Sequence, residues 1–206
     1  ANLSFNVSDR YFFGITMGAY SIDYSRESYY EELGMDGNYY DFSNWYETTG
    51  EGFDLKFGFI CRPVQSSPFR FGISVHTPTW YDMEDVNGSV LYYNNEFVVE
   101  KIADPFRYSY RTPWKFGLSL GHTIGNYIAL GAEYNYSDVS TAKYSSADWN
   151  NDSYFRNINE VTKNTLKSQH TIKLGMEVKP SNELSVRVGY NFISSPFKSD
   201  AYRAIQ

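Results

Sequence analysis

The stretch that decides the fold is Phe53-Asp-Leu-Lys-Phe-Gly-Phe-Ile-Cys-Arg62. Its odd positions are Phe53, Leu55, Phe57, Phe59 and Cys61, and its even positions are Asp54, Lys56, Gly58, Ile60 and Arg62. A period of two marks a β-strand with unlike faces. The same pattern recurs along the chain in pairs joined by short turns. Residues 2–7 turn at Ser8-Asp9 into 10–24, and 51–62 turn through "PVQSSP" (63–68) into 69–81. Residues 112–122 turn at "TIGN" (123–126) into 127–137, and 166–179 turn at "PSNE" (180–183) into 184–193. Gly, Pro, Asn and Ser at these joints supply the backbone geometry of tight turns. The connections between the hairpins, 25–50, 82–111 and 138–165, are long. The middle one has room for further strand at 89–99 and Phe106–Arg111, and 157–167 has helix-compatible spacing. Short turns at one end and long loops at the other are the habit of outer-membrane barrels.

Parity sorts each strand into an apolar face and a polar one. Phe57, Ile73, Leu118 and Leu174 typify the first, and Lys56, Arg70, Ser119 and Arg187 the second. Alternation alone also fits a soluble sandwich or lipocalin-like barrel with its apolar face inside. Two details favour the inverted arrangement, with Lys56 pointing in and Phe57 out. Seven strands carry Gly on the polar face, where a solvated strand gains nothing from it. Aromatic residues also gather at two levels: Trp80, Tyr81, Tyr108, Tyr110, Trp114, Tyr134 and Tyr136 toward the long loops, and Phe69 and Tyr127 beside short turns. Belts at two levels anchor a lipid-embedded wall. An apolar face of four or five residues implies strands of about ten residues, enough to cross a bilayer core when tilted.

Composition is consistent with this. The 206 residues suit a single domain, 1–206. A net charge of −6 with both signs interspersed lacks the basic footprint of a nucleic-acid binder. Aromatic residues reach 19%, which favours strands. The negative mean hydropathy excludes a transmembrane helix and leaves a membrane barrel open. The single Cys61 excludes an internal disulfide framework and a cysteine-based zinc site.

Several stretches resemble the FadL/OmpP1/TodX family of outer-membrane transporters, particularly its Bacteroidetes forms. "GEGFDLKFGFICRP" followed by "FRFGISVHTPTWYDMED" is similar to the family's central barrel. "FRYSYRTPWKFGLSLGHTIGNYIALGAEYNYSDVSTAKY" and "LKSQHTIKLGMEVKPSNELSVRVGYNFISSPF" resemble later hairpins. The resemblance implies an antiparallel up-and-down transmembrane β-barrel of fourteen strands in the bacterial outer membrane. Such a barrel passively takes up hydrophobic molecules such as long-chain fatty acids, has a plugged lumen, and releases its ligand sideways through the wall. About eight strands are expected in this chain, without the plug and the final strands.

The candidate lumen residues are Lys56, Arg62, Arg70, His76, Lys115 and Lys173 with Arg187, beside Asp54, Glu133 and Glu177. One or two of the cations could hold a carboxylate, since Arg forks match it well. The plainer reading makes them cross-strand ion pairs that fix register. Pro78, in "HTPTWY", cannot donate a ladder bond, so a bulge or strand end is expected there, and a wall exit is the functional alternative. No HExxH, GxSxG or paired-Cys spacing occurs, so neither enzyme activity, metal nor cofactor is expected. The expected partners are a hydrophobic ligand and outer-membrane lipid or lipopolysaccharide. An adhesive barrel acting through its loops and a soluble binding module are the other readings.

Overall fold

The computed structural model describes residues 1–35, 37–146, 152–181 and 183–201. Asp36, Asn182 of the fourth turn and residues 147–151 in the last long connection lie outside the described residues, as do 202–206. The strands are β1 (Asn2–Val7), β2 (Tyr11–Leu33), β3 (Tyr39–Cys61), β4 (Arg70–His76), β5 (Trp80–Tyr93) and β6 (Glu96–Ile102). They continue as β7 (Phe106–Arg111), β8 (Lys115–Ile124), β9 (Ile128–Asp138), β10 (Lys143–Ser146), β11 (Ser168–Val178) and β12 (Val186–Ile193). A 3-10 turn, Val139–Thr141, precedes β10, and helix α1 (Asp152–Thr165) follows it.

All twelve strands belong to one antiparallel sheet, so the chain is an all-β protein. β1 pairs with β2 and β2 with β3. The far edge of β3 is shared, because its C-terminal part pairs with β4 and its N-terminal part with β5. Beyond β4 the order is β8, β9, β11, β12; the far edge of β5 is shared in turn by β7, with β10 beyond it, and by β6. β4 and β5 are thus one long strand broken at Thr77–Pro78–Thr79, and β7 and β8 are another broken at Thr112–Pro113–Trp114. The sheet is not closed: among the described residues β1 and β12 each pair on one side only.

Local chemistry explains the turns. Ser8 and Asp9 both have positive φ (55° and 53°), as do Asn94 and Asn95 (51° and 64°). Two such residues in succession form the tight hairpin turn whose twist matches the flanking strands, and Asn and Asp tolerate it best. Asn6 closes the first turn by donating from Nδ2 to Asp9 Oδ1 (2.6 Å).

The first two connections expected to be long loops, 25–50 and 82–111, are largely strand, and the third, 138–165, holds β10 and α1. β2 and β3 each run for 23 residues, about 75 Å of strand. Their outer parts join β5 and β6 in an arm above the four short hairpins. This segment reads as loop because Tyr, Asn, Asp and Glu interrupt its apolar alternation. Its register comes instead from cross-strand pairs such as Tyr40–Tyr93, with ring centroids 5.0 Å apart. The helix begins five residues earlier than expected. Phe155, in its first turn, is its anchor, buried to 3% exposure and stacked on Phe106 at 5.7 Å. Asn159 donates from Nδ2 to the Tyr144 carbonyl (2.7 Å) and accepts from the Tyr144 N–H (2.8 Å). It thereby takes the place of a neighbouring strand on the edge of β10.

The described residues form no hydrophobic core. Apart from Pro78 and Pro113 at the strand breaks, the buried apolar side chains among the described residues are Ala142, Phe155 and Ala201, none of them in a strand. Phe57, Ile73, Leu118 and Leu174 are 42%, 40%, 48% and 49% exposed. The buried side chains of the sheet are polar instead: Thr48, Asp54, Thr77 and Thr79.

Candidate functional site: the polar face

Register aligns the polar-face residues into rows across the sheet. The break at Pro78 is a β-bulge. Between Lys56 and Phe53 β3 advances three residues, while its partner advances four, from His76 to Trp80. β7 and β8 carry a matching surplus residue, since Trp80 pairs with Arg111 and His76 with Lys115. Each bulge inverts the parity of its strand. Even positions of β4 face the polar side, and odd positions of β5 do.

That inversion corrects the aromatic belt. Trp80 stays on the apolar face and stacks on Phe53 (6.4 Å). Tyr81, Tyr108 and Tyr110, expected beside it, fall on the polar face. There Tyr20, Tyr81, Tyr110 and Tyr144 form a row, with successive centroids 6.2, 6.3 and 4.6 Å apart. Gly52 lies in this row, and a Cβ on it would meet the Tyr81 ring at 2.4 Å. The glycine exists because the ring covers it. Gly50 under Met83, and Gly18 under Asp54 and Tyr20, follow the same rule. Burial, helped by Asp85, pushes the Tyr108 phenol up to about 12.

Below the tyrosines lies a compact polar node. Asp54 is 4% exposed, and its Oδ2 accepts from Tyr20 Oη (3.0 Å) and Thr79 Oγ1 (3.3 Å). Lys56 Nζ lies 3.6 Å from the same oxygen and donates to Tyr20 Oη (2.9 Å). The bulge is stitched rather than open. The Leu55 N–H donates to Thr77 Oγ1 (3.0 Å), the Thr77 N–H to the Leu55 carbonyl (2.9 Å), and the Thr79 N–H to Thr112 Oγ1 (2.7 Å). Threonine hydroxyls replace the ladder bonds the bulge forgoes, and Pro78 and Pro113 are buried between them. Pro78 therefore marks the expected bulge, with its seam shut.

The next row sets Lys56, His76 and Lys115 side by side. His76 and Lys115 line a depression of ≈ 920 Å³ together with Ser119, Glu133, Thr171 and Lys173. Of the predicted site residues, Lys173 pairs with Glu133 (2.9 Å) across β9 and β11, and Arg187 with Glu177 (2.5 Å) across β11 and β12. Lys179 adds to Glu177 at 3.2 Å. These are the register-fixing pairs of the plainer reading. Arg62, Arg70 and Lys115 form no ion pair among the described residues. His122 and His170 sit on the apolar face, His122 6.4 Å from the Phe69 ring and His170 within 2.7 Å of Tyr134 Oη. No cluster of three or more His, Cys, Asp or Glu suited to a metal occurs among the described residues.

A second class of glycine is bare. At Gly14, Gly58, Gly131 and Gly175 a Cβ would meet nothing within 4 Å, and none of these residues has positive φ. No side chain among the described residues explains them. The parity inversion and the tyrosine row escape a reading of single strands; the signal that could reveal them is the paired "TPT" and "TPW" breaks on neighbouring strands.

No family model, curated protein or solved structure matches the chain.

Proposed function

We propose that this chain is lipid-facing wall of a bacterial outer-membrane β-barrel that passively admits hydrophobic small molecules such as long-chain fatty acids. One observation carries the proposal: an apolar face continuous over the hairpin strands is exposed, and the described residues form no core to receive it. Burying one such side chain stabilises by roughly 1.5–3 kcal/mol, so leaving all of them in water is untenable. Acyl tails are a fitting cover, because strand alternation then puts the ion pairs and bare glycines toward an enclosed lumen. Closure of the sheet, with its own further strands or those of a neighbour, belongs to this proposal.

In this reading the residues act by shape and polarity, with no bond made or broken. The bare glycines leave room for a passing ligand. His76 and Lys115, free of carboxylate partners, line the depression it would occupy. Lateral release near Pro78 would require the threonine stitches to open. Native mass spectrometry of the detergent-purified protein tests the proposal: co-purified fatty acid supports it. A protein that stays monodisperse without detergent and carries no lipid would defeat it.

The loop-mediated adhesive reading has its own observation. Residues 20–51 and 82–104 hold fourteen of the 24 acidic residues and two of the 18 Lys and Arg. The arm is therefore a strongly acidic projection. Deleting its outer part, 22–49 with 84–102 replaced by a short turn, separates the readings. In the uptake reading the shortened protein still admits ligand; in the adhesive reading it keeps its fold and loses attachment to the partner surface.

A further inference from the structure

The short-turn end of the polar face holds an arrangement that neither register nor packing accounts for. Cys61 pairs with Phe71, so the next position sets Arg62 opposite Arg70. On the other side the Arg62 N–H donates to the Arg10 carbonyl (2.9 Å). Three arginines thus occupy adjacent strand ends at spacings of about 5 Å. Like charges directly opposite one another destabilise a sheet. None of the three forms an ion pair among the described residues, and the neighbouring carboxylates are already engaged. Glu133 binds Lys173 and Asn135, Glu177 binds Lys179 and Arg187, and Asp9 is held by Asn6.

Two further features mark the place. The Nε atoms of Arg10 and Arg62 are buried without a hydrogen-bond partner. Arg10 uses Nη2 on the Pro63 carbonyl (2.9 Å) and lies over the Tyr11 ring (5.5 Å), which leaves Arg62 and Arg70 as the free forks. The row then continues from Arg70 through Gly121, Gly131, Gly175 and Gly189. These glycines give a floor about 14 Å wide with no side chain over it. Charge over the whole chain points the same way. With the acidic arm set aside, the remaining residues hold sixteen Lys and Arg against ten acids.

We infer that Arg62 and Arg70, with Arg10 beside them, form an oxyanion site at the short-turn end of the polar face, which takes a carboxylate or phosphate group lying over the glycine floor. A bidentate oxyanion on the terminal nitrogens of Arg62 and Arg70 supplies the missing counter-charge. The site goes beyond the uptake proposal and does not depend on it, since the row exists whether lipid or protein covers the apolar face.

The test measures thermal unfolding in zwitterionic detergent, with inorganic phosphate exchanged for chloride at constant ionic strength. Phosphate should raise the wild-type Tm and leave R62Q/R70Q unmoved, while K101Q, on the acidic arm, keeps the full response. In chloride the double variant should melt at or above the wild type, because it loses a repulsion; this shows it is folded. Titration with dodecyl phosphate and with dodecanol identifies the source. Tighter binding of dodecyl phosphate than of phosphate assigns the site to an amphiphile headgroup, and equal binding assigns it to free anions. Each arginine lost should weaken binding by about tenfold or more. Equal phosphate responses in wild type and double variant, no response in either, or dodecanol binding as well as dodecyl phosphate would overturn the site.

Discussion

Replacing Gly52 by alanine tests whether the glycines of the polar face fall into two physical classes. The new Cβ would lie 2.4 Å from both Cδ1 and Cε1 of Tyr81. Carbon atoms prefer separations of about 3.5–4.0 Å, so the ring must retreat by more than about 1 Å. Tyr81 is not free to do so, because Tyr20 and Tyr110 stand on either side at 6.2 and 6.3 Å. Overpacking of this kind costs about 1–3 kcal/mol, against about 0.5–1 kcal/mol gained by removing a glycine from a strand. The net expectation for G52A is a loss of about 0.5–2 kcal/mol. At Gly58, with nothing within 4 Å, only the gain remains, so G58A should stabilise by about 0.5–1 kcal/mol. Urea unfolding in detergent, followed by tyrosine and tryptophan fluorescence, measures both. Adding Y81A to G52A should recover the packing loss, with a coupling of about 0.5–3 kcal/mol. If G52A and G58A shift stability alike, or the coupling is zero, the covered-versus-bare distinction is wrong.

Three other outcomes are expected. D54A should cost about 2–3 kcal/mol, because it strips acceptors from Tyr20, Thr79 and Lys56 in a buried node, and D54N should cost less; chemical unfolding ranks them. F155A should free α1 while leaving the sheet folded, so limited proteolysis would cut within 152–165 without loss of the strand circular-dichroism signal. The sheet above the short hairpins should be pH-sensitive at both extremes. Tyr108 is raised to about 12, so its neutral-form stabilisation is complete below the unfolded phenol value of about 10 and vanishes as pH rises through about 12. Glu31 is held below the ordinary range by the hydroxyls of Tyr29 and Tyr39, so its contribution is present above about pH 4.3 and disappears in stronger acid. Phenolate absorbance and arm-specific hydrogen exchange follow the two limits.

Much of the sheet is legible in the chain because a side-chain period of two has few interpretations. The four hairpins, the face each residue takes along β3, β8, β9 and β11, and the bulge at Pro78 all follow from parity and turn chemistry. What is lost is long-range. Parity counted through "HTPTWY" puts Tyr81 on the wrong face, because a bulge shifts phase without any local signal of how far. The outer halves of β2 and β3 look like loops because their pairing partners, not their own composition, hold them extended. Of the candidate site, the ion-pair role of Lys173 and Arg187 is visible from charge alternation. The adjacency of Arg62 and Arg70 needs the register, which "PVQSSP" does not specify. Closure of the sheet is written in neither place.

The most direct test of the central claim uses spin labels at neighbouring positions of β8, in a Cys61→Ser background. Leu118→Cys and Ser119→Cys are labelled one at a time in protein reconstituted in lipid vesicles, and collision with oxygen is compared with collision with a water-soluble nickel chelate. The account predicts that the label at 118 meets oxygen dissolved among acyl tails and is shielded from the chelate, while the label at 119 meets the chelate. Equal exposure of both labels to the chelate, or the reverse order, would contradict it.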